Sequence, residues 1–79
     1  MTLLENIIKL IADSLEVTEN KITQDTAIGD IPEWNSLGHI IIISSLEKEY
    51  SINFDPEIIM DLEDVSDIVA AIEERLMQK

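Results

Sequence analysis

The chain has 79 residues, enough for one domain with a small core and correspondingly modest stability. With 17 acidic residues against 5 basic its net charge is −12, which makes nucleic acid and anionic membrane poor partners and a basic protein surface the natural one. It has no cysteine and a single histidine, which removes disulfides, thiolate nucleophiles, cysteine metal sites and most histidine metal clusters.

A hydrophobic content of 46% is that of a globular chain. Two Gly and two Pro leave few tight turns, which argues against a small all-β fold. The apolar runs are too short to span a bilayer, and no N-terminal stretch has a basic flank, a long apolar segment and a cleavage site. The expected compartment is the cytoplasm. Self-repulsion of the acidic groups is expected to destabilise the fold at low salt.

The first helix opens at Thr2. Thr2-Leu3-Leu4-Glu5 fits a capping box, and Leu4, Ile7, Ile8, Ile11 and Leu15 follow at amphipathic spacing. From Glu16 to Asn35 no periodicity is sustained. So long a connection is expected to be packed or functional, with Val17, Ile22, Ile28 and Ile31 as anchors and a short helical turn inside it.

The second helix starts at Asn35 or Ser36, either of which can cap it, and runs to about Ser51. Ile52-Asn53-Phe54 alternates, but it is too short for a strand and has no partner. It reads as a connector that inserts Ile52 and Phe54 into the core. The third helix is short: Asp55-Pro56 is its start signal, and Ile58, Ile59 and Leu62 follow. The fourth starts near Asp64, with Asp67 three residues on. Val65, Ile68, Val69, Ile72 and Leu76 form its stripe, and Arg75 and Lys79 suit its C-terminal dipole. The expected architecture is an all-α four-helix bundle covering residues 1–79, with a long first loop and a short third helix.

Ile40 to Ile43 are four isoleucines in a row. A helix turns about 100° per residue, so they cannot share one face. Ile42, Ile43, Leu46 and Tyr50 are expected to face inward with Ile40 at their flank. Ile41 and Leu37 point outward, with Lys48 further along and Glu47 at the edge of the strip. An exposed apolar strip beside Ser36 has the character of a contact surface.

Ser36 and His39 are three residues apart, within reach on one helix, and such a pair raises a hydrolase reading. Against it, there is no Gly-x-Ser-x-Gly elbow, so small a core leaves no room for a substrate cavity, and His39 is on the inward side. Neither Asp25 to Asp30 nor Asp55 to Asp67 has the oxygen spacing, central Gly and closing Glu of a calcium loop. No catalytic or metal residues are assigned.

The run "EWNSLGHIIIISSLEKEYSINF" resembles the signature of acyl carrier and peptidyl carrier proteins, whose core Asp-Ser-Leu is often extended to Trp-Asp-Ser-Leu-Gly-His. Domain size, long first loop, the serine heading the second helix, short third helix and acidity agree with it over the whole chain. The resemblance implies a non-enzymatic, monomeric carrier. A phosphopantetheinyl transferase would move 4′-phosphopantetheine from coenzyme A onto Ser36, with magnesium, and Asn35 and Leu37 would flank the site. The arm's thiol would hold an acyl or aminoacyl thioester of a fatty-acid, polyketide, nonribosomal-peptide or related pathway. Leu37, Ile41 and Glu47 would meet a loading ligase or adenylation enzyme and synthase or transferase enzymes with basic docking patches. Ile43, Leu46, Phe54, Ile59, Leu62 and Ile68 would line a core able to shelter the cargo. The alternative is an unmodified, carrier-like interaction module.

Two residues depart from the family pattern. Asn35 stands where the family usually has Asp, which changes charge beside the serine while keeping a good cap. Ile41 stands where fatty-acid carriers typically have an acid, which points to a specialised carrier.

Overall fold

The computed structural model describes residues 2–77. Helix α1 is Leu3–Leu15 and opens on the expected capping box: the Glu5 amide donates to Thr2 Oγ1 and the Thr2 amide to Glu5 Oε1, both at 3.1 Å. Accepting from the Thr2 amide, and then from its hydroxyl, holds the Glu5 carboxyl below the usual range. The helix closes at Glu16, which is left-handed at φ 58° and donates to the Ala12 and Asp13 carbonyls.

The connection after α1 contains a single 3₁₀ turn, Glu19–Lys21. Its anchors behave as expected except one: Ile22 is buried, Val17 and Ile31 pack half-buried on the core, and Ile28 is exposed. The Ile28 amide donates 2.8 Å to the Glu63 carbonyl. Ala27 and Asp64 form an antiparallel bridge, the Val65 amide donates to Thr26 O, and the Ser66 amide donates to Gln24 O. The long loop thus pairs with the segment before the last helix and accepts two of that helix's opening amides.

Helix α2 is Ser36–Tyr50, closed by Ser51 in the left-handed region at φ 55°. Ile52 and Phe54 insert into the core as expected. Helix α3 is Pro56–Asp61, with Pro56 in its first turn. Asp55 precedes it, but its side chain makes no capping bond; the backbone carbonyl does the work, accepting from Ile58 and Ile59. Helix α4 is Val65–Met77, and the Asp67 amide donates 2.8 Å to Asp64 Oδ1. Arg75 in its last turn reaches the Asn53 carbonyl, tying α4 to the α2–α3 connector. Lys79, expected beside it, lies outside the described residues.

The core joins Ile7, Ile11, Ala12 and Leu15 of α1 to Ile42, Ile43 and Leu46 of α2 and Val65, Ile68 and Ile72 of α4. Ile59 of α3 and Val69 of α4 are only half-buried, and Leu76 is exposed. No helix among the described residues is long and apolar enough to cross a membrane.

Candidate functional site

Two glycines shape the turn that leads into α2. Gly29 has φ 93°, a conformation side chains resist, and its amide donates 2.8 Å to the Trp34 carbonyl, folding residues 29–34 into a tight loop. Gly38 sits in the first turn of α2 against that loop. A Cβ on it would lie 2.4 Å from the Glu33 carbonyl oxygen and 3.1 Å from Leu15 Cδ2. The loop can therefore press onto the helix only where there is no side chain.

Trp34 is fully buried, the largest side chain that is. It pins the end of the loop into the core immediately before the helix. Its indole Nε1–H donates 3.1 Å to His39 Nδ1. The rings are 18° from parallel with centroids 6.1 Å apart, so the bond runs edge to edge. His39 is buried, on the inward side expected, and its two ring nitrogens bridge two elements inside the fold.

Asn35 is the N-cap: its backbone is extended and its Oδ1 accepts 2.8 Å from the Gly38 amide. That decides between the two capping candidates. Ser36 becomes the first helical residue, exposed, its hydroxyl in no hydrogen bond among the described residues. The opening amides of Ser36 and Leu37 have no acceptor within the helix. No acidic residue stands in the first turn of α2, whereas α1, α3 and α4 carry Glu5, Glu57 and Asp67 there. A phosphodiester on Ser36 Oγ would meet free amides, the positive end of the helix dipole and no opposing carboxylate in that turn. The side chains present fit such a group.

Leu37 is 67% exposed, Ile40 57% and Ile41 42%. The outward strip is thus wider than expected, because Ile40 belongs to it and not to the flank of the core. Only Ile42, Ile43 and Leu46 fill the core side fully, and Tyr50 is half-buried. Between Trp34 and Leu46 there is no Asp, Glu, Lys or Arg. Glu47 lies beyond this stretch, half-buried, and its Oε2 accepts 2.7 Å from the Phe54 amide. Its carboxylate holds the α2–α3 connector. Sequence reasoning missed this role, and also those of Trp34 and Gly38, since each depends on a contact the helix pattern does not encode.

Cap strength is directly measurable here. Asn35→Ala is expected to lower stability by about 1 kcal/mol, while Asn35→Asp stays within about 0.5 kcal/mol because aspartate caps as well. Urea denaturation followed by circular dichroism reads both; equal losses in the two variants would refute the capping assignment.

The fold and site define a helical domain that presents an exposed serine hydroxyl at the head of an apolar helix. A family model described as the phosphopantetheine attachment site matches residues 5–72. The solved structure of a holo acyl carrier protein from Geobacter metallireducens superposes with a TM-score of 0.86, covering 99% of this chain and 90% of that one at 27% identity. No curated protein matches significantly. The chain belongs to the phosphopantetheine attachment-site family and has the acyl carrier protein fold. It is a carrier protein, and the prosthetic group of its family is covalently attached 4′-phosphopantetheine. Carrier domains of this type are generally non-catalytic and work with partner enzymes.

Proposed function

We propose that Ser36 Oγ is the attachment atom, and that the chain presents thioester-bound acyl or aminoacyl intermediates to the enzymes of a specialised pathway. The observation that carries this is the division of labour at the head of α2. Asn35 takes the cap, so the Ser36 hydroxyl is free, exposed and flanked by open amides. When attached, the arm supplies the thiol that a chain without cysteine lacks. In the transfer, Ser36 Oγ would form a bond to the pantetheine-bearing phosphorus of coenzyme A as the pyrophosphate P–O bond breaks, 3′,5′-ADP leaves, and the serine proton passes to a base of the transferase or to water. The amides of Ser36 and Leu37 face the resulting anion.

A phosphopantetheinyl transferase, a loading ligase or adenylation enzyme, and downstream synthase or transferase enzymes are the partners this reading requires. Their docking surface begins at Leu37, Ile40 and Ile41, the exposed apolar strip beside the serine. Asp30 and Glu33 stand before it in the chain, and Glu47, Glu49, Glu57 and Asp61 after it. A partner with an apolar patch rimmed by basic residues fits that arrangement. The exposed Ile41 favours a polyketide, nonribosomal-peptide or related pathway over housekeeping fatty-acid synthesis.

The test is mass spectrometry after incubation with coenzyme A, magnesium and a broad-specificity transferase. The expected result is a gain of one phosphopantetheine that is absent in Ser36→Ala. Persistent apo mass with several transferases for both the natural chain and Asn35→Asp would replace this reading with that of an unmodified interaction module. Modification of Ser36→Ala would move the attachment point elsewhere.

A further inference from the structure

His39 holds two elements at once, and the donors and acceptors fix how. An indole nitrogen only donates, so His39 Nδ1 must be the unprotonated, accepting atom in the 3.1 Å bond from Trp34 Nε1. The ring proton therefore lies on Nε2. That atom is 3.2 Å from the Ile59 carbonyl, an acceptor only, and donates to it. One neutral imidazole, buried and with both nitrogens used, thus links the residue two positions before Ser36 to the backbone of α3.

Of the two linked parts, α3 is otherwise the more lightly held. The helix α3 has six residues, none of them buried, with Ile58 and Met60 exposed. The turn carrying Asn35 and Ser36 is exposed, fixed from within by Trp34 and by the Asn35 cap. The histidine itself is anchored to the helix, its amide donating 2.8 Å to the Asn35 carbonyl.

We propose that His39 is the positioning residue of the attachment site: through Nδ1 it fixes the Trp34 turn that presents Ser36, and through Nε2 it clamps α3 in the same act. This rests on Ser36 being the modified residue and goes beyond it by naming what holds that serine in place. It also makes the two sides of the imidazole separable. Counting atoms along the side chain, Asn Oδ1 stands near the place of His Nδ1, and Gln Nε2 near the place of His Nε2. His39→Asn keeps an acceptor for the indole and gives up α3. His39→Gln keeps a donor for Ile59 O and gives up the indole. His39→Leu gives up both.

The experiment measures three things on each folded variant. They are the indole N–H and Ser36 and Leu37 amide shifts by NMR, hydrogen exchange of the α3 amides, and kcat and KM for phosphopantetheine transfer by a broad-specificity transferase. His39→Asn is expected to keep kcat within about threefold while α3 exchanges faster. His39→Gln is expected to keep α3 protected, move the Ser36 and Leu37 amide shifts and lower kcat at least about tenfold, the scale on which a misplaced reacting atom acts. KM stays within about threefold because the Leu37–Ile41 strip is untouched. His39→Leu is expected to show both losses. If Gln and Asn variants lose the same properties in the same proportion, or if His39→Gln loses the indole bond with unchanged kcat, the positioning role is overturned. If the natural chain itself is never modified, the attachment reading fails instead. The amide shifts of Ser36 and Leu37 and the exchange of α3 then still decide whether His39 holds both elements.

Discussion

Gly38→Ala is expected to destabilise the domain by about 1–3 kcal/mol, although helix propensity alone would favour alanine there by about 1 kcal/mol. The sign is decided by one contact. A Cβ at this position would stand 2.4 Å from the Glu33 carbonyl oxygen. That oxygen belongs to backbone in a loop tied down on both sides, by the Gly29–Trp34 hydrogen bond and by the buried indole. It cannot swing aside as a flexible side-chain end would. Relief requires moving the Glu33–Asn35 turn, which also misplaces Ser36. Urea denaturation reads the stability, and transferase kinetics on the folded variant read the site. A stabilised Gly38→Ala with an unmoved turn would show that the loop is looser than this packing implies.

Trp34→Ala is expected to be more severe, with a loss of about 3–5 kcal/mol. A chain of this length has about 4–12 kcal/mol in all, so much of the population is expected to lose fixed tertiary packing at moderate temperature. The fully buried indole fills space between the loop, α2 and the rest of the core, and removing it also leaves His39 Nδ1 without its donor. Trp34→Phe separates these effects. It retains most of the apolar volume and costs mainly the unpaired imidazole nitrogen, about 1–3 kcal/mol. Thermal unfolding by circular dichroism distinguishes them, since each kcal/mol moves the midpoint by about 4–8 °C in a domain of this size. Equal losses in the two variants would mean that volume is unimportant at this position.

The helices were legible because each carries its own signals. Thr2 and Glu5 close a capping box, and Asp55-Pro56 and Asp64 with Asp67 stand at the starts where α3 and α4 begin. Apolar spacing in α1 and α4 placed Ile7, Ile11, Ile68 and Ile72 in the core. The second helix was harder, because it is apolar almost all round. Periodicity put Leu37 and Ile41 outside correctly, but it placed Ile40 at the flank of the core. Which side of such a helix is covered depends on where its neighbours lie, and α1 and the His39–Ile59 link to α3 leave Ile40 in solvent.

By itself, then, the sequence determined an acidic, cysteine-free, four-helix domain with a serine at the start of its second helix, because capping, periodicity and charge are local properties; its reading as a carrier came from the resemblance of the motif around that serine. Only the tertiary structure decided which of Asn35 and Ser36 caps that helix, since the choice turns on the orientation of one amide oxygen toward Gly38. Only it showed that Glu47 holds the Phe54 amide, that the first loop pairs with residues beside Asp64, and that Trp34 and His39 join that loop to α3. These contacts link residues 5 to 42 positions apart in the chain. Their partners are brought together by burial of the core, and no short-range pattern records them.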